Sequence, residues 1–236
     1  MTADMEARID ALTTSALALE HSIADLSDEQ AAEPSLLPGW TRAHVLTHIA
    51  RNADAMVNLV TWARTRVETA MYPSREKRDA DIEAGAGSPA AELVADVRGS
   101  QQRLMAAVAE MADDDWHGPI RFGQRNTPGT GEDIPDLRRT EVEVHHVDLD
   151  LDYTLAHWPE DFVESMLRQT ANDFSGREGA PAFTLVGLDG EGRWEVAGGG
   201  TEITGPPPAL LGWLLGRTDG LGLHSDQSLP TLGVWR

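Results

Sequence analysis

The 236-residue chain contains no cysteine. That excludes disulfides, a thiolate nucleophile and a Cys-ligated metal. Any metal must be held by histidine and carboxylate, and any thiol chemistry must use a thiol brought from outside. Basic residues are also scarce, with 19 Lys and Arg against 39 Asp and Glu and a formal net charge of -20. A chain of that sign repels phosphate backbones, so nucleic acid is not an expected partner. It also makes any arginine set into a pocket conspicuous. No apolar run approaches the roughly 20 residues of a membrane span. The start, Met1 to Asp10, is polar and acidic and does not read as a signal peptide. We therefore expect a cytoplasmic protein with no membrane partner. Hydrophobic residues make up 41% of the chain, enough for a sizeable core.

Apolar periodicity predicts four helices over residues 1–155. Met5, Ile9, Leu12, Leu19, Ile23 and Leu26 mark the first, with Ala16 filling the gap in the stripe. A loop follows from Ser27 to Trp40, broken by Pro34 and Pro38. The second helix opens with Thr41 as N-cap and carries Val45, Ile49, Met56, Leu59, Val60 and Ala63. Tyr72-Pro73-Ser74 and the charged run Arg75 to Asp81 read as a connection. The third helix begins at Ser88-Pro89, with Pro at its first position, and has Leu93, Val97, Leu104, Val108 and Met111 as its core face. A long loop from Asp113 to Asp133 leads to a fourth helix, Pro135 to Tyr153. After residue 155 the texture changes. A helix around Phe162, Met166 and Leu167 precedes strands at Phe183–Leu188 and Arg193–Ala197, joined by the turn Asp189-Gly190-Glu191-Gly192. A third short strand, Glu202–Thr204, and a helix, Pro207–Arg217, follow. The expected class is α+β, with a helical bundle over 1–155 and a small α/β unit over 156–236.

The fourth helix contains Glu141-Val142-Glu143-Val144-His145-His146-Val147-Asp148. Glu141 and His145 are four apart, share a helix face and can chelate one divalent ion. An exposed ion pair is the bland alternative. Glu143 and His146 form a competing register three apart; only one pair is expected to face the core, and periodicity does not choose. Asp148 either orients the His145 imidazole or is a solvated charge. The second helix offers His44 and His48, four apart, and spacing does not say which is a ligand. Two helices that between them supply two histidines and a carboxylate match the ligand set of an open, catalytic zinc.

The stretch Leu37-Pro38-Gly39-Trp40-Thr41-Arg42-Ala43-His44-Val45-Leu46-Thr47-His48-Ile49-Ala50-Arg51-Asn52-Ala53 resembles the opening of the mycothiol-dependent maleylpyruvate isomerases, within the wider DinB-like group of metal-binding four-helix bundles. Glu141 to Leu149, Gly216-Arg217-Thr218-Asp219-Gly220 and Met71-Tyr72-Pro73 through Arg78 resemble the same family, in the right order. The resemblance implies that His48, Glu141 and His145 are zinc ligands and that mycothiol is the cofactor. It implies that Arg78 and Arg217 hold polar groups of thiol or substrate, with Trp40 and Asn52 beside the cofactor. His146 departs from the small residue the family pattern has there. The resemblance also implies a C-terminal domain of sterol-carrier-like fold. The implied reaction adds a zinc-held thiolate to the cis double bond of maleylpyruvate, lets the new single bond rotate, and eliminates the thiol to give fumarylpyruvate. The site is expected in a cleft between bundle and C-terminal unit. An anionic substrate in so acidic a protein calls for arginine clamps. Two alternatives remain open: a mycothiol S-transferase, and a non-enzymatic metal-binding protein of the DinB-like group.

Overall fold

The computed structural model of the chain describes residues 2–123, 126–190, 192–233 and 235, and it divides into two compact units, Met1–Asp152 and Tyr153–Arg236. The first unit rests on four long helices, α1 (Ala3–Ser22), α3 (Arg42–Thr65), α5 (Ala90–Ala109) and α6 (Ile134–Asp148). Shorter helices α2 (Asp28–Ala32) and α4 (Arg75–Gly85) lie in their connections, and a hairpin of β1 (Pro119–Phe122) and β2 (Thr127–Thr130) precedes α6.

Three segments expected as loops thus carry structure. In the Ser27–Trp40 stretch, Ser27 and Gln30 form a reciprocal capping box that starts α2. In the charged run, Ser74 accepts the Lys77 N–H at 3.1 Å and caps α4. That helix buries only Ile82, so its sequence shows no apolar period. In the third, the chain leaves the short 3-10 turn Asp115–His117 through Gly118, where a Cβ would lie 2.0 Å from Ala63 O. Only glycine fits that approach, and the hairpin is thereby laid against the end of α3. Two boundaries also move. Pro89 is the N-cap of α5 rather than its first residue. Helix α6 stops at Asp148, not Tyr153, because Asp150 takes a left-handed φ of 54°. The carbonyls at and just past its end are satisfied from outside the helix. Arg42 Nε donates to Leu149 O at 2.6 Å, Arg42 Nη2 to Asp150 O at 2.8 Å, and the Leu36 N–H to Asp148 O at 2.9 Å.

The bundle core falls into two apolar clusters. One contains Leu12, Leu19, Val45, Leu46, Ile49, Leu93, Val97 and Val142. The other contains Met5, Met56, Leu59, Val60, Leu104, Val108, Ile134 and Leu137. Each fully buried aliphatic side chain contributes about 1.5–3 kcal/mol. Along α3, α5 and α6 the residues between the clusters are polar and buried: Asn52, Ser100, Gln101, Arg138, Arg139 and Thr140. Helix α6 is buried on nearly all sides. Glu143 and His146 face α1, where Ser15 Oγ donates to Glu143 and His146 Nε2 lies 2.8 Å from Ser22 Oγ. The expectation that only one carboxylate–histidine register faces the interior is therefore corrected: both do, toward different neighbours.

The second unit has helices α7 (Glu160–Ser175) and α8 (Pro207–Leu214) and a three-stranded sheet of β3 (Phe183–Gly187), β4 (Arg193–Val196) and β5 (Thr201–Gly205) in the order β4-β3-β5. Strand β4 is antiparallel to the central β3, and β5 is parallel to it. Residues 197–200 arch across the start of β3, with Ala197, Gly198 and Gly199 at φ 51°, 87° and 79°. Of the turn expected at Asp189–Gly192, Glu191 lies outside the described residues. Helix α8 ends at Leu214, three residues short of the expected Arg217. Gly216 at φ 71° donates to Trp213 O at 3.0 Å and Arg217 N to Gly212 O at 2.8 Å, a Schellman stop. No helix of the described residues is long and apolar enough to cross a membrane.

Candidate metal centre

Helices α3 and α6 bring three side chains together from across the sequence. His48 Nε2 lies 3.0 Å from Glu141 Oε2 and 3.0 Å from His145 Nε2, and His145 Nε2 lies 3.4 Å from Glu141 Oε2. Among the described residues they form the only group of three His, Cys, Asp or Glu whose ligand atoms lie within 4.8 Å of one another. Tetrahedral zinc with bonds of about 2.0–2.1 Å holds its ligand atoms about 3.3–3.4 Å apart. The triangle is already close to that size. The two imidazoles meet edge to face, 88° apart with centroids separated by 4.5 Å. Two ring nitrogens so close repel one another unless a proton or a cation sits between their lone pairs.

The groups around the triangle set its charge. His145 Nδ1 lies 2.8 Å from Asp148 Oδ2, and Asp148 is fully buried. An acidic acceptor there holds the proton on Nδ1 and leaves the Nε2 lone pair for a metal. Asp148 is therefore a partner of His145, not a solvated charge. Burial, followed by the charge of His145, pushes His48 down to about 4. Burial also disfavours charge on His145, but its hydrogen bonds to Asp148 and Glu141 outweigh this and raise its pKa. Glu141 shows the same contest. Burial opposes its carboxylate, yet hydrogen bonds from His145 and His48 hold it well below the usual carboxylate range. The site thus keeps a carboxylate and a neutral His48 over a wide pH range, both of them states that bind metal.

The other two histidines in question are engaged elsewhere. His44 Nδ1 accepts the Thr41 N–H at 3.2 Å and completes the N-cap of α3, while its Nε2 faces Glu83 at 3.6 Å. His146 belongs to the α1 face described above.

A family model described as the mycothiol maleylpyruvate isomerase N-terminal domain matches residues 12–150, and a model of the C-terminal domain of the same proteins matches residues 157–233. The chain belongs to the mycothiol maleylpyruvate isomerase family. It is similar to a crystal structure of a mycothiol-dependent maleylpyruvate isomerase, with a TM-score of 0.91 and 25% identity over 98% of this chain and 97% of the other. A mutant of that enzyme with one histidine replaced by alanine gives the same values. YfiT from Bacillus subtilis, with an unusual four-helix bundle topology, matches with a TM-score of 0.53 at 18% identity over 64% of this chain and 86% of its own. That likeness concerns the fold alone and agrees with a DinB-like bundle. No curated protein matches the chain.

The remaining candidates within the first unit surround the triangle. Arg78 on α4 approaches most closely, with Nη2 3.4 Å from His48 Nδ1, Nη1 donating to Asp79 Oδ1 at 3.0 Å, and its guanidinium 5.9 Å from the centre of the Tyr72 ring. Trp40 stacks on His44 at 6.2 Å and tilts over His48 at 5.7 Å. Asn52, one turn along α3 from His48, points its Oδ1 at Arg138, which donates at 2.9 Å. Arg217 sits in the second unit just past α8, where its Nη1 donates to Leu215 O at 2.8 Å. Sequence reasoning overlooked Tyr72 as a side chain in its own right. Burial, then the charge of Glu141, raises its hydroxyl to about 12, so it stays a neutral donor. It also overlooked Arg138 and Gln101. The signal for Gln101 was present, since a glutamine at that position interrupts the stripe Leu93, Val97, Leu104, Val108.

Proposed function

We propose that the chain is a zinc- and mycothiol-dependent cis–trans isomerase that converts maleylpyruvate to fumarylpyruvate, with His48, Glu141 and His145 as the metal ligands. The observation that carries this reading is the triangle of two imidazole nitrogens and one carboxylate oxygen with sides of 3.0, 3.0 and 3.4 Å. Membership of the family and the 0.91 TM-score to a crystallised isomerase support it. Three protein ligands of this type leave a tetrahedral ion one position for a ligand from outside. Bound there, zinc would hold mycothiol as its thiolate, whose reversible addition makes the cis double bond of the substrate a rotatable single bond.

The chain's own residues then have distinct tasks. Asp148 fixes the tautomer and orientation of His145. When His48 offers Nε2 to a metal, its Nδ1 carries a proton. Arg78, which has donors only, can then no longer hydrogen bond to it. Its Nη2 is thereby released to donate to a carboxylate of the dianionic substrate or a polar group of the thiol, while Nη1 stays on Asp79. Trp40 covers the His48 ring. Asn52 spends its Oδ1 on Arg138 and hydrogen bonds to Tyr72, so it is proposed to line the cofactor side of the site together with that hydroxyl. Arg217 is proposed to bind a polar group of thiol or substrate, on the strength of its place in the Gly216–Gly220 segment.

The test is a turnover assay with maleylpyruvate and substoichiometric mycothiol. Isomerisation without net loss of thiol, abolished by a chelator and restored by zinc, is the expected result. Consumption of one thiol per turnover would replace the isomerase with an S-transferase, and no turnover at any thiol concentration would end the reading.

A further inference from the structure

Arg138 is buried to 1% exposure, yet none of its hydrogen-bond acceptors is charged. Its Nε donates to Gln101 Oε1 at 3.1 Å, and its Nη1 donates to Ile49 O at 2.8 Å and to Asn52 Oδ1 at 2.9 Å. Among the described residues it forms no ion pair within 4.0 Å, in a chain with 39 acids available. A buried cation without a counter-ion is strongly unfavourable, so one that is kept invites a reason.

Its position supplies one. Arg138 precedes Glu141 by one turn on the same helix, and its partner Asn52 follows His48 by one turn on α3, so the guanidinium backs onto two of the three proposed ligands. After burial, Glu141 is the strongest influence on it; burial lowers the guanidinium to about 10, and it remains a cation at neutral pH.

We propose that Arg138 is a fixed positive charge that raises the preference of the metal site for an anionic outer ligand, a thiolate over a neutral thiol or water, at the expense of affinity for the metal itself. It is a positioning residue that works through the field it adds behind Glu141 and His48, and the inference rests on the reading of His48, Glu141 and His145 as ligands. A dication bound by two neutral imidazoles and one carboxylate has a net charge of +1. A second buried positive charge nearby, poorly screened, stabilises an incoming anion and repels an incoming cation. The two effects have opposite signs. A residue that merely held the bundle together would weaken both when lost.

Gln101 allows the charge to be cancelled without removing Arg138. Its Oε1 already accepts from Arg138, and its Nε2 is buried with no partner. Gln101→Glu therefore places a carboxylate on Arg138 at no cost in hydrogen bonds. The experiment uses full-length wild type, Gln101→Glu, Arg138→Met and Arg138→Lys. Each is titrated with cobalt(II) alone, then with a simple alkyl thiol while the sulfur-to-cobalt absorption is followed. Gln101→Glu and Arg138→Met should bind cobalt about tenfold more tightly and the thiolate about tenfold more weakly, with Arg138→Lys close to wild type. Unchanged affinities in Gln101→Glu, or a parallel loss of both, would overturn the inference even if Arg138→Met fails to fold. A wild-type chain that takes up no cobalt would instead overturn the ligand assignment beneath it.

Discussion

Helix α6 carries two carboxylate–histidine pairs, and they have opposite fates. Glu143 and His146 are each 1% exposed, while the side chains of Glu141 and His145 keep 22% and 15%. The more deeply buried pair is the structural one. Its partners include the hydroxyls of Ser15 and Ser22 on α1. The half-open pair faces another imidazole, that of His48, and a single Asp148 behind it. Burial alone thus does not distinguish the proposed metal site. What distinguishes it is convergence of lone pairs from two helices with one side left accessible.

The largest effect that could break this comparison is loss of one carboxylate from each face. Glu141→Gln should abolish stable zinc binding and reduce turnover by at least about 100-fold, because an open site with two ligands holds zinc poorly. Glu143→Gln should retain one zinc per chain and lose only stability, by about 1–3 kcal/mol for a buried polar group left imperfectly matched. Metal analysis and thermal unfolding of the two proteins, measured side by side, check both halves.

A smaller effect separates the partners of the two histidines. Asp148→Asn should weaken zinc about 10- to 100-fold while leaving helical content intact, the usual cost of losing a carboxylate that orients a ligating histidine. Ser22→Ala, which removes the hydroxyl beside His146 Nε2, should leave zinc affinity unchanged. Competition against a chelating dye reads both.

Next comes the substrate side. Arg78→Ala should lower kcat/KM about tenfold or more, with zinc content unchanged, because it removes a charged fork and no ligand. Zinc loss in this variant would make Arg78 a structural brace of His48 instead.

The smallest effect is on pH. His145 has a raised pKa, so it is protonated in the metal-free chain at pH values where an ordinary histidine is not, whereas His48, near 4, is not. Zinc binding near neutral pH should therefore release a proton from His145 and none from His48, and affinity should rise with pH through the raised His145 value. For the metal-free fold the signs divide. The contribution of His145 is complete below its unfolded pKa and is lost as pH rises through its raised folded value. Those of Glu141 and His48, both depressed, are present above their unfolded values and are lost as pH falls, in the case of His48 down to about 4. Calorimetry in buffers of different ionisation enthalpy counts the proton.

Much of this was legible in the sequence, and the failures have physical causes. The four long helices announced themselves through apolar spacing, and Thr41 through its capping position. Helix α4 did not, because Arg75–Gly85 buries a single residue and is held by its cap and its packing on α3. The hairpin was hidden because each strand has only four residues, with Pro119 in one and Pro128 and Gly129 in the other, in a stretch that reads as loop. His44 could not be told from His48 by spacing. The distinction lies in the cap, where Thr41 claims the His44 ring. The burial of Arg138 ran against any expectation drawn from composition, since a chain with twice as many acids as bases gives an arginine every opportunity to pair.

The central claim is that one metal ion binds at His48, Glu141 and His145. The most direct measurement is a crystal structure of the zinc-loaded protein with anomalous scattering at the zinc edge. The account predicts one peak per chain, with the Nε2 atoms of His48 and His145 at about 2.0–2.1 Å and Glu141 as the third protein ligand. A peak coordinated by His44, or by Glu143 and His146 on the α1 face, would contradict it.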